Sequence, residues 1–209
     1  EGALLFNNLL LTTAMMAILL GTLYPIFIEA LQGVKVSVGP PFFNSVFVPL
    51  MAPAIVAMGI GPFLKWKRSD FYPALNRLKL AFLLTLLSGA TVWSYYTDGP
   101  FIGIIGITLA TWLGTSTLVE LAERIKLFKT PFLYSLKRIT ILPRSTWGMT
   151  FGHFGLAIAI AGITGASAWK TESIQSMKPG DSVNVAGYSY TFEGTFSGKG
   201  PNYDFIIGE

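Results

Sequence analysis

Ser145-Thr-Trp-Gly-Met-Thr-Phe-Gly-His-Phe-Gly-Leu-Ala-Ile-Ala-Ile-Ala-Gly-Ile-Thr-Gly-Ala-Ser-Ala168 decides the reading of the chain, because it is a helix-length run that carries the sole histidine of the sequence. Trp147 to Ala168 holds no charged residue, and about 20 apolar residues at about 1.5 Å rise each match a hydrocarbon core of about 30 Å. The segment reads as a membrane-spanning helix. Gly148, Gly152 and Gly155 recur three or four positions apart, on one helix face with or beside His153. Missing side-chain bulk there lets another helix or a flat cofactor come close. An imidazole in lipid needs a polar partner or a metal, since an unsatisfied polar group in hydrocarbon is costly. Two readings follow: a helix-packing seam with a neutral His bonded to a neighbour, or an axial haem ligand.

Composition places the rest of the chain in the same class. Of 209 residues, 52% are hydrophobic and 12% charged, against about 25% charged in soluble domains. The absence of cysteine excludes a disulfide, a thiolate metal site and a thiol nucleophile within this sequence. Net charge is +4, but eleven of the fifteen basic residues fall in two short loops between apolar runs. That is the positive-inside pattern rather than a nucleic-acid stripe, so no nucleic-acid partner is expected. The chain starts at Glu1 without a basic signal-peptide head and stops inside the strand-like Asp204-Phe-Ile-Ile-Gly-Glu209. It is expected to be an internal piece of a longer polypeptide.

Five spans are expected, near residues 3–28, 42–64, 80–96, 101–121 and 147–168. Between the first two, Val34-Lys-Val-Ser-Val38 alternates like a short strand. Gly39-Pro40-Pro41 then forces an extended entry. Pro49, Pro53 and Pro62 predict a kinked second span. Lys65, Lys67, Arg68, Arg77 and Lys79, opposed only by Asp70, mark a cytoplasmic loop. Trp93, Tyr95 and Tyr96 form an interfacial belt, and Thr97-Asp98-Gly99-Pro100 reads as a tight turn. The second basic loop, 122–146, spaces Ile125, Phe128, Phe132, Leu133, Leu136 and Ile139 almost helically, as in an amphipathic helix on the inner membrane face or a plain connector.

The fold class expected is thus an all-α polytopic membrane protein with about five helices, N-terminus inside, followed outside by the start of a small β segment over 169–209. Pro179-Gly180-Asp181 is a turn, and Ser182 to Glu193 alternates in period two like a hairpin. His153 lies eight residues beyond Ser145, about 12 Å in from the cytoplasmic end at about 1.5 Å per residue. No carboxylate is expected well inside a span, because Glu29, Glu120 and Glu123 fall at span ends. With one His and no Cys, a metal would need a further ligand from outside this chain, which suits haem iron.

Six runs, taken in order, resemble the CcmF family, haem lyases of the haem-handling superfamily. They are Glu1-Gly-Ala-Leu-Leu-Phe-Asn-Asn-Leu-Leu10, Gly21-Thr-Leu-Tyr-Pro25, Val36-Ser-Val-Gly-Pro-Pro-Phe-Phe-Asn44, Gly59-Ile-Gly-Pro62, Trp147-Gly-Met-Thr-Phe-Gly-His-Phe-Gly-Leu-Ala157 and Met177-Lys-Pro-Gly-Asp-Ser182. The resemblance implies attachment of haem to reduced Cys-x-x-Cys-His motifs of apocytochrome c at the outer face of the bacterial inner membrane, with a haem chaperone and an apocytochrome-binding subunit as partners. It implies that His153 is an axial ligand of a membrane haem b, with Gly152 and Gly155 permitting close approach. Gly39, Pro40 and Pro41 match a run on the side of the periplasmic haem cavity, where they either line it or only form an entry kink. The family's Trp-rich haem segment, its periplasmic histidines and the second ligand of the membrane haem precede the part matched here. This portion by itself is therefore expected to be inactive as a lyase. A nitrite reductase maturation paralogue, whose haem site carries Lys in place of His, fits the same residues. The alternative from another class is a transporter or channel subunit with His153 as a packing or gating residue.

Overall fold

The computed structural model describes residues 2–64, 71–96 and 100–209. The basic cluster Lys65, Lys67, Arg68 with Asp70, and Thr97, Asp98 and Gly99 of the expected turn, lie outside them. The described chain forms two units, residues 1–168 and 169–209.

The first unit is helical: α1 Gly2–Gln32, α2 Pro40–Ile60, a 3-10 turn Gly61–Phe63, α3 Phe71–Arg77, α4 Lys79–Tyr95, α5 Phe101–Arg124, α6 Phe132–Ile139 and α7 Arg144–Ala168. Among the described residues, four helices are long and apolar enough to cross a membrane: Leu4–Gln32, Pro40–Phe63, Phe101–Arg124 and Arg144–Ala168. The 17 residues of α4 reach about 25 Å at about 1.5 Å each, the lower end of a spanning length. Helix α1 runs four residues past the expected end, through Pro25 to Gln32. Gly39 caps α2 in an extended conformation, and Pro40 and Pro41 occupy its first turn, where a missing N–H costs nothing. α2 then stays helical across Pro49 and Pro53.

Two expectations are corrected. Val34 to Val38 forms no strand: residues 33–39 carry no regular structure, and a strand without a neighbour to bond leaves its backbone groups unpaired. In the second basic loop the ends continue α5 and α7, and between them only Phe132–Ile139 is helical. The stretch before it turns, with Lys126 and Phe128 in left-handed backbone (φ 55° and 65°).

Helix α5 is the hub, packed against α2, α4 and α7. Small residues make each contact close. Gly59 of α2 lies under Trp112, whose indole N–H donates to the Val56 carbonyl at 3.2 Å. Gly89 of α4 faces Thr108, and Gly106 of α5 faces Thr164 of α7. Hydroxyls along α5 bond back to their own helix, as Thr117 does to the Leu113 carbonyl at 2.7 Å, so they need no water in lipid. Leu113, fully buried, packs with Ile55 and Ala157. Exposed leucine, isoleucine, methionine and phenylalanine recur along the whole of α1, suited to lipid.

At one end of the bundle Arg77 forms an ion pair with Glu123 and lies 5.2 Å from the Phe63 ring centroid. The hydrogen bond to Glu123 raises the guanidinium above its ordinary value. This contact ties the loop after α2 to the end of α5. Both basic loops therefore sit at the same end, as the positive-inside reading requires of them.

The second unit holds two antiparallel hairpins. β1 Ser182–Val185 pairs with β2 Tyr188–Thr191. Their two-residue link Ala186-Gly187 has φ of 52° and 83°, the signature of a type I′ turn. β3 Thr195–Lys199 pairs with β4 Asp204–Gly208, where Phe196 and Phe205 meet edge to face at 6.4 Å. Lys178 to Asp181 closes a turn with Asp181 N donating to Lys178 O at 2.9 Å and Gly180 at φ 93°. Gly187→Val is expected to cost the hairpin about 1–2 kcal/mol, since a β-branched side chain resists positive φ. Faster amide exchange at Tyr188 and Tyr190 than in wild type is the readout.

Candidate functional site

The face of α7 that packs is set by threonines and alanine, not by the glycines. Thr146, Thr150 and Ala157 are buried, and His153 and Thr164 are half-buried. These positions recur at three and four residues and form one stripe along the helix. The matching stripe on α5 is Gly103, Ala110, Leu113, Thr117 and Glu120, all buried.

Register between the two stripes follows from close contacts. Gly106 meets Thr164, and seven residues on, Leu113 packs with Ala157, seven residues back along α7. The helices are antiparallel, and two heptad steps keep the same faces opposed. One further step sets Glu120 opposite Thr150, with Thr117 opposite His153. Glu120 also lies within electrostatic reach of the imidazole.

Gly148, Gly152 and Gly155 lie around the other side of α7. Among the described residues no atom comes within 4 Å of a side-chain carbon built on any of them. Their face is open, and Trp147 stacked on Phe151 at 5.3 Å borders it. His153 belongs to the α5 stripe and lies about 100–160° around α7 from the three glycines, at about 100° per residue.

Glu120 lies one turn from the end of α5, at the span end expected for it, and what the sequence did not show is its burial: it is 4% exposed. Arg124, one turn on, pairs with one of its carboxyl oxygens. The other oxygen and the Thr150 hydroxyl are buried without a hydrogen-bond partner among the described residues. The signal was present: Leu113, Thr117, Glu120 and Arg124 continue the packed stripe at helical spacing, which carries Glu120 inward.

A haem needs from this chain one donor nitrogen and a flat approach. His153 supplies the nitrogen, half-buried on a rigid helix, and around the other side of α7 the positions a Cβ would take at Gly148, Gly152 and Gly155 are clear over about two turns. The residues present fit the group. No cluster of three or more His, Cys, Asp or Glu that could hold an ion occurs among the described residues. Gly39, Pro40 and Pro41 sit at the far end of α2 from the Phe63 and Arg77 contact, with no ligand-type side chain among them.

Comparison with known proteins bears on the whole chain. A family profile described as the CcmF C-terminal beta-sandwich matches residues 168–209, the span of the two hairpins. The chain is 44% identical over 203 residues to the cytochrome c-type biogenesis protein CycK of Rhizobium meliloti, covering 97% of this chain and 30% of that protein. It is 41% identical over 209 residues to CycK of Bradyrhizobium diazoefficiens, covering 100% of this chain and 32% of that protein. Identity to the cytochrome c-type biogenesis protein CcmF of Pseudomonas aeruginosa is 37% over 203 residues, with 97% and 30% coverage. The chain thus spans under a third of the length of these relatives (30–32%). No solved structure matches it.

Proposed function

Because this chain belongs to the CcmF and CycK family of cytochrome c-type biogenesis proteins, we propose that it contributes a membrane haem site to the machinery that attaches haem to apocytochrome c. His153 is the axial ligand this portion supplies to a haem b, and the second comes from a segment outside the chain. The observation that supports the reading is His153 itself, the one histidine of the sequence, half-buried on a membrane-length helix along the stripe that faces α5.

When bound, the haem supplies a redox-active iron within the bilayer. The chain's own residues do the rest. α5 and α7 hold the imidazole on a rigid pair of helices, and Gly152 and Gly155 leave room for a planar ring. Trp147 and Phe151 offer an apolar edge that excludes water. The basic loops set this end of the bundle at the cytoplasmic side of the bacterial inner membrane. Partners in that setting are apocytochrome c, a haem chaperone and an apocytochrome-binding subunit. Gly39, Pro40 and Pro41, at the periplasmic end of α2, border the cavity where substrate haem is handled.

Gly152→Leu tests the open face. No atom lies within 4 Å of a Cβ built at Gly152, and leucine favours helix over glycine by about 0.5–1 kcal/mol. The variant is expected to fold as well as wild type yet retain several-fold less haem per protein. Unchanged haem content would show that no planar group lies on that face.

A further inference from the structure

A carboxylate sunk between two membrane helices with one oxygen unmatched is an expensive arrangement, and Glu120 is such a group. Arg124 offsets its charge through the first oxygen. For the second, the α5–α7 register offers two donors: the Thr150 hydroxyl directly opposite and the His153 ring one turn further on. The neighbouring α5 hydroxyls are already committed, since Ser116 and Thr117 both donate to the Leu113 carbonyl, at 3.1 Å and 2.7 Å.

We infer that Glu120 is the positioning residue of His153: its unmatched oxygen accepts the ring N–H that faces the α5 seam, together with the Thr150 hydroxyl. A carboxylate oxygen has lone pairs for both donors. The register set by Gly106 with Thr164 and Leu113 with Ala157 places Glu120 within about one turn of both residues. The consequence is chemical. With one ring N–H given to Glu120, the tautomer is fixed and the other nitrogen keeps its lone pair for a metal. Carboxylate-bound imidazoles are stronger metal donors, and their ring plane is locked. The inference rests on the haem reading only for what that second nitrogen binds.

The test does not need haem. His153 is the one histidine of the 209-residue chain, so 15N-histidine labelling of the detergent-solubilised, haem-free chain gives a single imidazole. In wild type one ring N–H should be strongly deshielded and protected from solvent exchange. Glu120→Gln should move that resonance upfield and speed its exchange about tenfold, the loss expected of a charge-assisted bond. Identical imidazole shifts in wild type and variant would overturn the inference and leave Thr150 as the carboxylate's partner. Should the variant fail to fold, the wild type decides alone: a ring N–H exchanging as fast as free imidazole overturns it. Failure of the haem reading registers elsewhere, as a haem-loaded preparation without a b-type spectrum. In haem-loaded protein a more positive midpoint potential for Glu120→Gln, partly restored by Glu120→Asp, is the second readout.

Discussion

His153→Ala is expected to empty the membrane haem site while leaving the helices folded. Loss of a residue that merely supports a metal ligand costs about 10–100-fold in affinity, and loss of the ligand itself costs at least that. The fold should survive, because the α5–α7 seam keeps Leu113 against Ala157 and Gly106 against Thr164, about one and three turns along α7 from the gap. The haem-to-protein ratio by pyridine haemochrome assay should fall at least about tenfold, with helical circular dichroism unchanged. A ratio equal to wild type would return His153 to packing.

Gly59→Val should produce the largest loss of stability. A side-chain carbon at Gly59 would come within 2.8 Å of the Ser116 hydroxyl and 2.9 Å of the Trp112 ring. Trp112 is 7% exposed and held by its bond to the Val56 carbonyl, so it cannot step aside without leaving that bond. Overpacking of about 1–3 kcal/mol plus a lost hydrogen bond of about 1 kcal/mol gives about 2–4 kcal/mol. Denaturant unfolding in detergent measures it. Gly162→Ala is the matched control: its site is open on α7, so the change should be neutral or stabilising by up to about 1 kcal/mol. Equal stability of wild type and Gly59→Val would contradict the close α2–α5 contact.

Helix existence was legible because uncharged runs of membrane length have few other structures open to them. The type I′ hairpin at Ala186-Gly187 was legible as period-two alternation around a glycine. Strand β3 was not, because Gly198 interrupts it; the structure shows that this glycine makes room for the Phe205 ring.

Which face of α7 packs was also hidden. Both the glycine set and the Thr146, Thr150, Ala157, Thr164 set are small and helically spaced, and only the partner helix chooses between them. The same gap hid the burial of Glu120, a carboxylate one turn from the end of α5 that is enclosed by its packed stripe. His153 itself was legible as a singular polar group in lipid, whereas its neighbour across the seam required the fold.

The most direct measurement is the reduced-minus-oxidised absorption spectrum of the full-length protein that carries this chain, purified in detergent after haem-replete expression. A b-type spectrum with about one haem per protein, the stoichiometry of one axial histidine on each face of one iron, is the expected result. A colourless preparation whose helices are intact by circular dichroism would contradict the membrane haem site.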